Sequence, residues 1–156
     1  MKASFLGLTT ALVLATSPVL AQSWETAMFE GGVSAWSLNE EFASFQLSCS
    51  DDQIPTVTID LPLTDIPADI ADRLVLLVDG EDLNVSWGFE VTPTETGVWL
   101  RGDANAQWKT VRAIAEKITQ GDRLTVTIPS SDFDTSFDLA GARPALALVV
   151  GQCGLD

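Results

Sequence analysis

Histidine and tyrosine are absent from this chain of 156 residues. The absence of histidine excludes Ser-His-Asp and Cys-His catalysis and histidine-ligated zinc, and neither residue can serve as a general acid or base. Beyond the N-terminal segment the only lysines are Lys109 and Lys117, both on a predicted amphipathic helix. No serine-hydrolase, Walker or dinucleotide-binding motif occurs. We therefore predict no catalytic residues, no cofactor and no metal ion.

Positive charge is also scarce. The chain has 8 Lys and Arg against 22 Asp and Glu, which gives a net charge of −14. Nucleic acid and anionic membrane surfaces would repel such a protein, so both are excluded as partners. The acidic residues are scattered and form no tail, which favours a role in solubility. The alternative is an acidic surface that docks a basic partner.

The N-terminus reads as a cleaved secretory signal peptide, Met1 to Ala21. Lys2 supplies the positive charge, Phe5–Leu14 the apolar core, and Ser17-Pro18 precedes small residues that end at Ala21. Cleavage would leave a single β-rich domain, Gln22–Asp156, that is periplasmic in a Gram-negative cell or secreted. No later segment is apolar over the ~20 residues that a membrane span needs, so we predict no membrane insertion after cleavage.

Both cysteines, Cys49 and Cys153, lie in the predicted mature domain. In an oxidising compartment an even pair of cysteines indicates a disulfide. The alternative is a pair of reactive thiols, but neither cysteine belongs to a C-x-x-C motif and no histidine could activate a thiolate. We predict a Cys49–Cys153 disulfide.

Period-2 alternation of apolar residues predicts several strands. The clearest are Phe42–Cys49, Thr56–Leu61 and Leu83–Val91, while Leu74–Val78 is a continuous apolar run typical of a buried strand. Asp79-Gly80 predicts a type I′ hairpin turn after that run. Further strand candidates are Ala27–Phe29, Ser34–Leu38, Val98–Leu100 and Arg123–Pro129.

Two segments have helical periodicity, Asn105–Thr119 and about Ala142–Gln152. Gly121 would stop the first helix, and Pro144 fits only in the first turn of the second. Short strands joined by hairpin turns, together with two helices, predict a mostly β (α+β) fold. The expected architecture is an antiparallel β-sandwich or half-barrel with two short helices and one disulfide.

Carboxylates are the only abundant groups that could do chemistry. Asp60, Asp79 and Asp138 lie at predicted strand ends, where turn formation explains them. The acidic cluster that starts at Asp79 lacks the spaced ligands of a calcium loop, so we interpret it as a turn.

The chain has five tryptophans, which could indicate a carbohydrate-binding surface. Trp87 belongs to the apolar side of its predicted strand and is expected in the core. Trp99 lies on the face opposite Val98 and Leu100, and Trp108 precedes the apolar stripe of the first helix. Trp99 and Trp108 are therefore the candidates for an exposed aromatic contact, with packing against the core as the alternative.

The second half of the chain resembles small periplasmic domains of proteobacteria. A Val78-Asp79-Gly80 hairpin, a helix, the strand Gly121–Val126 and a closing element from Ser136 to Ala142 follow in the same order. The same order is found in the VasI/TagO-like type VI secretion-associated proteins and in the invasion-associated locus B group. The resemblance covers about Arg73 to Cys153 of this chain. The N-terminal part matches neither group, and the multiple cysteines of the second group are absent. The resemblance implies a non-enzymatic, disulfide-closed envelope protein.

The leading functional hypothesis is a non-enzymatic, exported binding or accessory domain, associated with the cell envelope or with secretion. Its expected partner is another envelope protein, bound through a sheet face or edge. One alternative is a carboxylate-based hydrolase acting on cell-wall or glycan material, which would need two carboxyl groups about 5–9.5 Å apart. The other is an acidic inhibitor or chaperone of a basic partner.

Overall fold

The structure, a computed structural model, describes residues 24–68, 70, 74–84, 90–103 and 108–155. The predicted signal peptide and Trp87 lie outside these ranges. Within them the chain forms ten strands and two helices. In chain order they are β1 (Trp24–Phe29), β2 (Gly32–Leu38), β3 (Ser44–Ser50), β4 (Pro55–Leu61), β5 (Val75–Val78), β6 (Glu81–Asp82), β7 (Glu90–Pro93), β8 (Val98–Asp103), α1 (Trp108–Gln120), β9 (Arg123–Ile128), β10 (Phe133–Asp138) and α2 (Ala142–Cys153).

The strands form two antiparallel sheets. The larger sheet has six strands in the order β1-β2-β3-β4-β8-β7, and the smaller has four in the order β10-β9-β5-β6. The alternating apolar residues that predicted β3 and β4 are fully buried, among them Phe45, Leu47, Val57 and Ile59. The predicted mostly β fold with antiparallel sheets and two helices is confirmed.

The predicted disulfide is present and joins β3 to the end of α2. Cys49 is fully buried, and its Cα lies 5.8 Å from that of Cys153. Close by, the Thr26 hydroxyl donates a hydrogen bond of 2.9 Å to the carbonyl of Ala145 in α2. Both contacts come from the side of the six-stranded sheet that carries its buried apolar residues. This inner face therefore packs against α2.

An aromatic cluster joins the two sheets in the core. The rings of Trp24 and Phe45 lie 6.3 Å apart, and Phe137 of the smaller sheet lies 6.2 Å from Phe45. The indole N–H of Trp24 also donates a hydrogen bond of 2.9 Å to the carbonyl of Asp138. Buried aromatic pairs contribute beyond their apolar area, so this cluster helps to fix how the sheets face each other.

Both helices begin and end close to their predicted bounds. In α1 the buried residues Val111, Ile114, Ala115 and Ile118 form the expected stripe. Gly121 follows that helix, and Gly154, which has a left-handed conformation, ends α2. None of the helices in the described ranges is long and apolar enough to cross a membrane.

The Asp79-Gly80 hairpin is confirmed, but the long strand predicted after it is wrong at its beginning. Asp79 and Gly80 have φ values of 52° and 82°, as a type I′ turn requires. The strand β6 then ends at Asp82, whose carboxylate accepts a hydrogen bond of 2.7 Å from the backbone N–H of Asn84. Asn84 has a φ of 49°, which breaks the extended chain. Residues 85–89 lie outside the described ranges, and the next described strand, β7 (Glu90–Pro93), belongs to the other sheet.

Of strand β10 only the end at Asp138 was anticipated from the sequence, and the rest of the strand was missed. Its alternating inward residues are Phe133, Thr135 and Phe137, so a polar threonine interrupts the apolar pattern. In the structure Thr135 is buried, and its hydroxyl accepts a hydrogen bond of 2.6 Å from the side-chain amide of Asn39. Pairing with a distant asparagine makes this threonine tolerable in the core, and such pairing leaves no local pattern.

Candidate functional site

The six-stranded sheet has a second face, opposite the core, which we call the outer face. It is built from two rows of neighbouring side chains that cross the sheet. The strand register gives these rows as Glu25, Trp36, Gln46, Thr58, Arg101 and Glu90, and as Leu38, Ser44, Asp60, Trp99 and Thr92. In the described part of the chain both helices pack on the inner side, so no helix lies over these rows.

Aromatic and polar groups alternate on the outer face. Trp99 is 41% exposed and Trp36 is half-buried. Between them β3 and β4 contribute Gln46, Thr58 and Asp60 rather than aliphatic side chains. The result is a broad surface with two indole rings above a hydrogen-bonding floor.

The polar groups of this face are not engaged within the molecule. The side chains of Trp36, Gln46, Asp60, Trp99 and Arg101 form no hydrogen bond or ion pair with any other residue that the structure describes. By contrast, Asn39 in the β2–β3 turn and Asp79 in the β5–β6 hairpin each accept two hydrogen bonds from backbone N–H groups. Gln46 and Asp60 are half-buried and Arg101 is exposed, so their donors and acceptors can reach an external ligand, whereas Thr58 is buried.

Among the described residues, Asp60 is the one whose side-chain pKa is clearly shifted. Burial raises the pKa of its carboxyl above the ordinary value of 3.8, because desolvation penalises the charged form. Its cross-strand neighbours are Ser44 on one side and Trp99 on the other. Neither neighbour is a carboxylate, so the register does not give Asp60 the second acid that a glycosidase pair requires.

The two tryptophans singled out from the sequence lie in different environments. Trp99 projects from the outer face, where it is 41% exposed. Trp108 is 38% exposed, but it begins α1 on the other side of the sheet, and the Arg112 guanidinium lies 5.9 Å from its ring centroid. Trp99 and Trp108 therefore do not form one contact surface. The residue that accompanies Trp99 is Trp36.

Sequence reasoning missed Trp36, Asp60 and Arg101 as members of a site. Alternation alone could have placed Trp36 opposite Ala35, and Asp60 opposite Ile59. It could not show that β2, β4 and β8 belong to the same sheet, because β4 pairs with β8 across a large gap in the sequence.

The acidic turn that begins at Asp79 forms contacts within the protein. The Asp79 carboxylate accepts hydrogen bonds from the backbone N–H groups of Asp122 and Arg123, at 3.1 and 2.9 Å. Glu81 forms an ion pair of 2.9 Å with Lys117. Across the ranges that the structure covers, no group of three potential ligands could hold a metal ion.

A groove of about 410 Å³ lies between α1 and α2. Two arginines line it, and both have partners in the protein. Arg112 contacts the ring of Trp108, and the Nε of Arg143 donates a hydrogen bond of 3.1 Å to the carbonyl of Thr119. The first contact lies within α1 and the second joins α2 to α1, so both arginines are engaged within the protein and the outer face remains the better candidate for a site.

No protein-family model, no curated protein and no solved structure matches this chain significantly.

Proposed function

We propose that this protein is a non-enzymatic binding domain of the cell envelope that engages its ligand through the outer face of the six-stranded sheet. One observation carries the proposal. Side chains with indole, amide, carboxylate and guanidinium groups are gathered on one broad face and have no partners within the described molecule.

The distribution of charge on the outer face favours a general binding domain over an acidic inhibitor that caps a basic partner. The outer face carries both signs, with Arg101 next to Glu90 in the row that also contains Glu25, and Asp60 in the other row. An acidic inhibitor would instead present a field of one sign to its target. The hydrolase alternative needs a second carboxylate near Asp60, which the register does not supply.

Export is part of the proposal. The residues Met1 to Ala21 have the charge, apolar core and small-residue order of a signal peptide. The Cys49–Cys153 disulfide supports the same compartment, because disulfides persist in oxidising environments such as the periplasm or the extracellular space. The resemblance to secretion-associated and invasion-associated periplasmic domains agrees with an accessory role in the envelope.

A comparative pull-down tests the proposed surface. The tagged domain, its Trp99→Ala variant and its Trp108→Ala variant are incubated with an envelope extract, and the bound protein and carbohydrate are identified by mass spectrometry. Trp99 and Trp108 are matched in residue type and exposure, at 41% and 38%, but only Trp99 lies on the outer face. We expect Trp99→Ala to lose the captured component and Trp108→Ala to retain it. Equal capture by all three proteins, or loss only with Trp108→Ala, contradicts the proposal.

A further inference from the structure

We propose that the ligand of the outer face is a neutral oligosaccharide, bound across the strands with one sugar ring on Trp36 and another on Trp99. This inference rests on the proposed function, because it names the ligand class for the same surface.

The separation of the two indoles sets the size of the ligand. Trp36 lies on β2 and Trp99 on β8, with β3 and β4 between them. Three strand spacings and a two-residue step along the strands place the two Cα atoms about 16 Å apart. One sugar ring cannot reach both indoles, so the spacing favours a chain of several sugars over a monosaccharide.

The chemistry of the floor favours sugar over protein. A pyranose ring presents C–H groups on its flat sides, which pack on an indole, and hydroxyl groups around its edge, which need donors and acceptors. Between the tryptophans the face offers the hydroxyl of Ser44 and the amide of Gln46, both half-buried. The centre of a protein–protein interface is instead apolar and depleted of charge, which a floor containing Asp60 does not match.

Asp60 would be a strong acceptor for sugar hydroxyls. Its carboxylate is partly desolvated and has no hydrogen-bond donor among the described residues. Hydrogen bonds to an ionised acceptor are about twice as strong as neutral ones. The partial burial of the carboxylate therefore opposes folding slightly, and ligand hydroxyls would relieve this penalty.

The charge of the protein favours a neutral sugar chain. The net charge of −14 repels polyanions at long range. On the outer face Arg101 is accompanied by Glu90 and Asp60, so no cluster of positive charge stands ready for acidic sugars.

Isothermal titration calorimetry with three defined tetrasaccharides tests the inference. The probes are the β-1,4-linked tetramers of glucose and of N-acetylglucosamine and the α-1,4-linked tetramer of glucose. We expect the domain to bind at least one of them, and Trp36→Ala and Trp99→Ala each to weaken that binding at least about tenfold, or about 1.4 kcal/mol. Trp108→Ala is the matched control and should bind as the unaltered protein does.

Asp60→Asn separates loss of binding from loss of folding. Removing a carboxylate whose charge is disfavoured by burial should not unfold the domain. The variant should nevertheless bind the sugar more weakly, because an amide is a poorer acceptor. Unchanged affinity in Asp60→Asn together with unchanged affinity in Trp99→Ala overturns the assignment of the sugar to this face.

The two proposals fail in different ways. If no tetrasaccharide binds while Trp99→Ala still loses a captured protein in the pull-down, the sugar inference is wrong and the binding face stands. If a tetrasaccharide binds but only Trp108→Ala weakens it, both proposals are wrong. Binding of a sugar that depends on Trp36 and Trp99 supports both.

Discussion

Removing the Cys49–Cys153 disulfide should lower the free energy of unfolding by about 4 to 5 kcal/mol. The bridge joins residues that are 104 positions apart, so it constrains most of the unfolded chain. For a loop of about 100 residues the chain-entropy model gives about 4.7 kcal/mol at 25 °C. Small domains have a total stability of about 5–15 kcal/mol, so the reduced protein should be folded but marginal.

The remaining contacts of α2 explain why it should stay docked after reduction. Leu146 and Val149 are buried in the core, and the hydrogen bond from the Thr26 hydroxyl to the Ala145 carbonyl does not involve the bridge. We therefore expect the reduced protein to keep its helix content in water. Its unfolding should begin at a much lower urea concentration.

Urea unfolding followed by tryptophan fluorescence, with and without reductant, measures the effect. Alkylation before and after reduction shows that the bridge was present and was opened. The double variant Cys49→Ala/Cys153→Ala is the control, because its midpoint should not respond to reductant. A loss below about 1 kcal/mol on reduction, with an unchanged dependence on urea, would refute the loop-entropy argument.

Three further predictions concern single side chains. Asp60→Asn should raise the free energy of unfolding at neutral pH, because the raised pKa of Asp60 means that its ionisation opposes folding. This gain in stability should vanish as the pH falls below the carboxyl pKa. Urea unfolding of both proteins over that pH range checks the gain and its loss. Asp79→Ala should lower the free energy of unfolding by about 1–3 kcal/mol because two backbone N–H groups lose their acceptor. Asp79→Asn keeps one acceptor oxygen and tolerates a positive φ, so it should cost less. If urea unfolding shows the same loss of stability for both variants, this reason is contradicted. Gly97→Ala should cost about 1–3 kcal/mol because its Cβ would lie 2.1 Å from the Leu61 carbonyl oxygen. Gly151→Ala, whose Cβ meets nothing within 4 Å, should instead stabilise α2 by about 0.5–1 kcal/mol; thermal unfolding that ranks this pair in the opposite order would refute the steric argument.

Much of the fold could be predicted because its signals are local. The apolar alternation in β3 and β4, the stripe of α1 and the Asp79-Gly80 turn each depend on neighbouring residues alone. The disulfide also followed from composition, since two cysteines in a chain predicted to be exported allow only one pairing.

The predictions failed where a side-chain hydrogen bond overrides the apolar pattern. Strand β10 contains a buried Thr135 that is bonded to Asn39, far away in the sequence. The segment after Asp82 alternates like a strand, but Asn84 adopts a left-handed conformation that periodicity does not reveal. In both places a side-chain hydrogen bond determines the local structure.

By itself the sequence determined which types of side chain a site could contain, but not which residues lie together in it. The absence of histidine and tyrosine, and the choice of Trp99 as a candidate for exposure, follow from residue types and alternation. Only the tertiary structure decided that Trp36, Asp60 and Arg101 share a face with Trp99, whereas Trp108 lies on the other side of the sheet. The physical reason is that strand order and register are set by hydrogen bonds between segments far apart in the chain, and these determine which outward-facing side chains become neighbours.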